Sequence, residues 1–131
     1  MNYISKAIET GNLEYLKNLD SMKCLSAAEI VTLQTIDPIK FIQCAPCTKE
    51  YLENFIYLRM THIVVEDDAR RLFQIVKYIR RDRLLQLFED KDFRTIFVYE
   101  LTMHFTEGFF MEVIEFIESL GVDYVHENEF N

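Results

Sequence analysis

The chain has very few of the residues that interrupt regular secondary structure. Three glycines and two prolines occur among its 131 residues. All-β folds need frequent tight turns, which glycine and proline usually supply. Apolar residues recur at helical spacing, for example at Tyr51, Leu52, Phe55 and Ile56. The sequence therefore predicts an all-α fold built from short amphipathic helices.

Capping residues indicate where the helices begin and end. Ser26-Ala-Ala-Glu29 has the pattern of a capping box, and Asp37 precedes Pro38, which suits a first helical position. Three more aspartates precede apolar periodic runs and are predicted N-caps: Asp67, Asp82 and Asp92. Gly121 is predicted to end the last helix in a left-handed conformation. The predicted helices cover residues 3–10, 13–19, 27–35, 38–44, 49–60, 67–79, 83–90, 93–106 and 109–120.

No shift in composition marks a linker, so a single helical domain over residues 1–131 is predicted. Residues 61–65, THIVV, are β-branched and compatible with an extended segment, but no strand is predicted. No apolar run reaches the roughly 18 residues that a membrane span needs. The N-terminal residues lack the apolar centre of a signal peptide.

Two segments of the chain repeat the same order of features. In residues 4–19 a short helix ends at Gly11 and a second helix follows. In residues 101–123 a helix ends near Gly108, and the next one finishes in Leu-Gly-Val-Asp. Residues 37–55 and 72–88 keep a similar spacing without the turn glycine. The predicted turns near residues 11, 46, 80 and 108 are 35, 34 and 28 residues apart.

This order of features resembles the ankyrin repeat, which advances by about 33 residues. The resemblance implies stacked helical hairpins that bind a partner through their turn tips and the concave surface of their first helices. An irregular helical bundle is the alternative fold. The implied first helices lie near 3–10, 38–44, 67–79 and 93–106. The implied turn-tip positions are Asn12, Thr48, Arg80, Arg81, Glu107 and Phe109.

Positive charge is concentrated in one segment of an acidic chain. The net charge is −8, yet residues 69–83 hold six basic residues against Asp82 alone. Guanidinium groups form paired hydrogen bonds with carboxylates. We therefore predict a partner-binding patch for an acidic protein, made of Arg70, Arg71, Lys77, Arg80, Arg81 and Arg83. The alternative is a solvated face whose cations pair with acidic neighbours. The overall negative charge makes nucleic acid an unfavourable partner.

An aromatic run follows the last predicted turn. In Phe109-Phe110-Met111 one side chain must point into the core, and another is a candidate for an exposed interface anchor. Phe109 is predicted to be the partner-binding residue.

Cys44-Ala-Pro-Cys47 is the motif most suggestive of chemistry. It resembles a thioredoxin variant, but no βαβ pattern surrounds it and no proline follows Pro46. A zinc site would need ligands from Cys24 or from scattered histidines, namely His62, His104 and His126. His104 is predicted to be packed in a helix rather than reactive. The sequence therefore predicts packing roles for Cys44 and Cys47, no cofactor or metal, and no enzymatic activity.

The predicted function is a non-catalytic, protein–protein interaction module in a reducing, cytoplasmic compartment, of a viral or effector type. One alternative is a compact acidic inhibitor, of a viral or phage type, that blocks a partner's nucleic-acid-binding site. Residues 106–131 motivate that alternative, because they carry a charge of −7 and no Lys or Arg. Self-association through uncovered apolar ends is a further alternative.

Overall fold

A computed structural model describes residues 1–122 of the chain. Over these residues it contains eight α-helices, one 3-10 helix and no strand, which confirms the all-α prediction. The α-helices are α1 (Tyr3–Thr10), α2 (Ala27–Ile36), α3 (Pro38–Cys44), α4 (Lys49–Met60), α5 (Glu66–Lys77), α6 (Arg81–Glu89), α7 (Lys91–Thr102) and α8 (Glu107–Ser119). The 3-10 helix spans Leu13–Asn18. The predicted Asp123 end of the second repeat-like segment and His126 lie outside the described residues.

Several helix ends are set by local hydrogen bonds, as predicted. The Ser26 hydroxyl accepts the Glu29 N–H at 3.2 Å, and the Glu29 carboxylate accepts the Ser26 N–H at 2.8 Å. Asp37 caps α3, whose first residue is a proline. Gly11 and Gly121 have φ angles of 72° and 90°, in the left-handed region that favours glycine. Each of these signals acts within one helical turn.

The three other predicted N-caps are wrong. Asp67, Asp82 and Asp92 are each the second residue of a helix that starts one residue earlier. The start of α5 is held instead by Asp68, which accepts the N–H groups of Val64 and Val65 at 3.0 and 3.1 Å. Acidic side chains are favourable throughout a first turn, so their presence does not identify the capping position.

The last predicted turn is also displaced. The seventh α-helix stops at Thr102 rather than near residue 106, and the chain turns before Thr106. The Thr106 hydroxyl caps α8 by accepting the Phe109 N–H at 3.4 Å. Gly108 therefore lies inside the first turn of α8 and does not end a helix.

The buried apolar side chains of residues 1–122 form one cluster, with an aromatic group where α6, α7 and α8 pack together. The Phe88 ring meets the rings of Phe93 and Phe97 at centroid distances of 5.2 Å each. It also meets Phe116 at 6.0 Å. These edge-on contacts join three helices that are consecutive in the chain.

The helices pack mainly on neighbours in the chain, but two predicted hairpins do not appear as close pairs. The fourth α-helix packs chiefly on α5, α6 and α7, and the sixth on α7 and α4. The sequence predicts a hairpin at the turn around Pro46, between α3 and α4, and another at Arg80, between α5 and α6. Neither pair of helices is among the closely packed pairs. The ankyrin-like repeat itself stays a prediction. Within residues 1–122, every helix is too short or too polar to cross a membrane.

Candidate protein-binding site

Arg80, a predicted contact residue, holds separate parts of the backbone together. Its Nη2 donates to the Leu19 carbonyl at 2.9 Å, and its Nη1 donates to the carbonyls of Leu16 and Cys44 at 3.3 and 3.4 Å. Its Nε donates to Asp82 at 2.9 Å, and the side chain is only 14% exposed. The carbonyls belong to the ends of the 3-10 helix and α3, where carbonyl groups lack the regular helical donors; that of Leu16 also accepts the Leu19 N–H at 3.1 Å. Arg80 is therefore not an exposed side chain at a turn tip, and its binding of a partner stays a prediction.

Arg83 has a similar bracing role one turn later. Its Nη2 donates to the carbonyls of Ser21 and Pro46, the latter at 3.5 Å, and its Nη1 donates to the Gln86 side chain at 2.8 Å. These bonds fix the segment after the 3-10 helix against the turn between α3 and α4. The Arg83 guanidinium is thus partly buried and committed to contacts within the chain.

Arg70 is paired with acidic neighbours, which is the alternative that the sequence left open. Its guanidinium lies 2.7 Å from Glu112 and 3.2 Å from Glu66, and 4.7 Å from the centroid of the Phe109 ring. Hydrogen bonds from the Thr106 hydroxyl and N–H, together with Arg70, lower the pKa of Glu66 to about 2. This network fastens α5 to the start of α8.

The remaining cations do not form one continuous patch with the others. The Lys77 ammonium lies 5.2 Å from the centroid of the Phe73 ring, whereas Arg71 and Arg81 are exposed. Neither Arg71 nor Arg81 makes a hydrogen bond or ion pair with the described residues. Binding of an acidic partner at these two arginines stays a prediction.

Phe109 is not an exposed anchor. It is fully buried and packs edge-on against Phe73 at 5.9 Å, whereas Phe110 and Met111 are 37% and 45% exposed. Successive helical residues point about 100° apart, so the side chain next to an inward-pointing one can face solvent. The prediction chose the wrong member of the aromatic pair.

An apolar groove lies where the end of α7 meets the start of α8. It encloses about 570 Å³ and is lined mainly by Val98, Tyr99, Met103, Phe105, Glu107 and Phe110. We call this surface the α7/α8 groove. Tyr99, Met103 and Phe110 are 55%, 47% and 37% exposed, although all three are large apolar side chains. The turn between Thr102 and Thr106 places the residues of both helices around one depression.

The part of the chain that lines this groove, from Thr95 through α8, carries only negative formal charge, histidine being neutral. Residues 95–122 contain five glutamates and no Lys or Arg. Glu107 lines the groove itself. His104, in the turn between the helices, is exposed, so the prediction that it is packed in a helix is wrong. The groove therefore combines an apolar floor with acidic surroundings.

The cysteine pair has the packing role that its spacing predicts. Cys44 ends α3, Cys47 lies in the following turn, and both side chains are buried. Burial raises the pKa of Cys47 to about 12, although Arg83 and Arg80 act in the opposite direction, and burial also raises the pKa of Cys44. Because the thiolate is the reactive form, both thiols are poor nucleophiles. Within residues 1–122, no three His, Cys, Asp or Glu side chains come together as metal ligands.

Native thiol labelling should distinguish the three cysteines. Cys24 is exposed, whereas Cys44 and Cys47 are buried. We expect iodoacetamide at neutral pH to modify Cys24 alone in the folded protein, and all three in denaturant. Peptide mass spectrometry measures the site. Rapid native labelling of Cys47 would contradict the raised pKa and the closed packing around it.

Comparisons with protein-family models, with curated proteins and with solved structures found no match for this chain. The function of the α7/α8 groove is therefore inferred from its own side chains. The sequence pointed to Glu107 and to the Phe109–Met111 run, but not to Tyr99 or Met103. Those two belong to α7, whose exposed face depends on how α8 packs against it.

Proposed function

We propose that this protein is a non-catalytic interaction module that binds a partner protein through the α7/α8 groove. The main observation in favour of this proposal is that Tyr99, Met103 and Phe110 are exposed around one cavity. Aromatic residues and methionine are enriched at protein interfaces, where a few large anchors supply most of the binding energy. The partner element that best fits a groove between two helices is the apolar face of a third helix.

The charge around the groove defines the partner further. Residues 95–122 contain five glutamates and no Lys or Arg, and although Glu112 is paired with Arg70, the remaining negative charge would repel an acidic segment. A helix with Lys or Arg beside its apolar stripe would place cations near Glu107, which lines the groove. We therefore propose a basic amphipathic helix as the bound element. Its association should weaken as salt screens the exposed charges.

A pair of designed peptides tests this proposal. One is an amphipathic Leu/Lys helix of about 18 residues, long enough to form a helix, and the other replaces every Lys by Glu. We expect fluorescence anisotropy to show binding of the Lys peptide only. Phe110→Ala and Tyr99→Ala should each weaken it by about tenfold, the effect of losing one interface anchor.

Two matched variants control for nonspecific attraction. Tyr78→Ala removes an aromatic side chain that is 66% exposed outside the groove. Glu9→Gln removes an exposed charge from α1, for comparison with Glu107→Gln at the groove. Equal binding of the Glu peptide, or equal effects of Tyr78→Ala and Phe110→Ala, would contradict the proposal.

The acidic surroundings of the groove also favour a second candidate, an inhibitor that occupies the nucleic-acid-binding surface of a basic partner. Such a partner uses the same cations for phosphate and for the glutamates around the groove. Once a partner protein has been identified, competition by short DNA or RNA distinguishes the general interaction module from the inhibitor. Displacement by nucleic acid favours the inhibitor, and unaffected binding favours the general interaction module.

A further inference from the structure

A separate cavity of about 300 Å³ lies beside the loop that joins the 3-10 helix to α2. Its apolar wall includes Ile30, Phe41 and Tyr51 from three helices, together with Leu25 from the loop and Cys47 from the turn after α3. Phe41 and Cys47 are buried, while the other three are half-buried and pack against the core. The depression is therefore built into the packing of α2, α3 and α4. We call it the loop cavity.

The charged side chains that line the loop cavity are both cationic. Lys23 and Arg83 line it, and none of the described residues lining it is an aspartate or glutamate. This asymmetry is unusual for a chain with a net charge of −8. An anionic group at this position would meet two cations and no opposing carboxylate.

Arg83, which lines the loop cavity, also has one buried hydrogen-bond donor without a partner. Its two Nη atoms donate to Ser21, Pro46 and Gln86. Its Nε is buried and has no acceptor. A buried donor without a partner is unfavourable, and a carboxylate oxygen is the strongest acceptor for a guanidinium N–H.

From the apolar wall and the two lining cations we infer that the loop cavity binds a small aliphatic carboxylic acid, of the medium-chain fatty-acid class. The hydrocarbon chain lies against Ile30 and Phe41, and the carboxylate lies at Arg83 and Lys23. Ligand sites in proteins are mostly apolar, about 300–1,000 Å³ in volume, with a few polar groups that fix orientation. The loop cavity is at the lower end of that range, which favours a short chain. This site shares no lining residue with the α7/α8 groove.

Three probes with the same hydrocarbon chain test the role of charge. We expect isothermal titration calorimetry to show binding of decanoate, about tenfold weaker binding of 1-decanol, and no binding of decylamine. Lys23→Gln should weaken decanoate binding, since Lys23 lines the cavity and is exposed. Arg81→Gln removes an exposed cation that does not line it and should leave the affinity unchanged. Equal binding of decanoate and decanol, or no binding of decanoate, overturns the inference.

The rate at which Cys24 is alkylated reports whether the ligand is bound in the loop cavity. It lines the loop cavity and is exposed, so saturating decanoate should slow its alkylation by iodoacetamide. Ile30→Trp fills the cavity and should abolish both decanoate binding and this protection. Leu25→Trp serves as a second filling variant if circular dichroism shows that the first is unfolded. Decanoate binding that persists in a folded filling variant, or that is lost in Phe110→Ala, would place the ligand elsewhere and overturn the inference.

Discussion

Phe88→Ala is expected to lower the free energy of unfolding by about 3–5 kcal/mol, the range for removing a fully buried phenylalanine. The Phe88 side chain is fully buried. Its ring lies edge-on to those of Phe93 and Phe97 at 5.2 Å and also meets Phe116. The substitution removes contacts with α7 and α8 at once and leaves a cavity that rigid neighbouring rings cannot easily fill. Urea unfolding followed by circular dichroism measures the change.

An exposed aromatic residue provides the matched control for Phe88. Tyr78→Ala truncates a side chain that is 66% exposed, so the expected change is within about 0.5 kcal/mol. A loss of less than about 1 kcal/mol for Phe88→Ala, with an unchanged denaturant slope, would mean that the three-helix aromatic packing is not a main source of stability.

Arg80→Met is expected to cost about 2–4 kcal/mol of unfolding free energy, because each partly buried acceptor left without a donor costs about 1–3 kcal/mol and such losses do not add fully. The side chain donates to the carbonyls of Leu16, Leu19 and Cys44, which are 64, 61 and 36 positions away. Methionine keeps much of the aliphatic packing but donates to none of them. Urea unfolding again gives the measurement.

Two further substitutions, Arg81→Met and Arg80→Lys, separate the effect of directed hydrogen bonds from the effect of charge. Arg81→Met removes an exposed cation next to it and should change the stability by no more than about 0.5 kcal/mol. Arg80→Lys keeps the charge but lacks the planar fork that reaches several carbonyls, so it should recover only part of the loss. If Arg80→Lys is as stable as the unaltered protein, charge rather than directed hydrogen bonding explains the role of Arg80.

The bracing roles of Arg80 and Arg83 affect any test of the predicted basic patch. Removing the charges of Arg80, Arg81 and Arg83 together would disturb the fold and any binding surface at the same time. Arg71→Gln and Arg81→Gln avoid this problem, because both side chains are exposed and make no bonds with the described residues. Loss of binding to an acidic protein in these variants would therefore report on the surface alone.

The sequence by itself determined the helical class and most helix bounds of the described residues. Helix formation depends on contacts between residues three or four apart, and these are visible in a linear pattern. The Ser26–Glu29 capping box, the Asp37 cap before a proline and the left-handed Gly11 are local in this sense. The packing roles of Cys44 and Cys47 followed from their place between two predicted helices.

Only the tertiary structure decided which side chains are free to act. In the sequence, Arg80 has the pattern of an exposed cation. The fold places the carbonyls of Leu16, Leu19 and Cys44, which are distant in sequence, within hydrogen-bonding distance of it. Phe109 and Phe110 are equivalent in sequence, and the rotation of α8 against α5 buries one and exposes the other. The α7/α8 groove and the loop cavity likewise join residues from separate elements. Burial depends on how helices rotate and pack against each other, and contacts within one turn do not specify that arrangement.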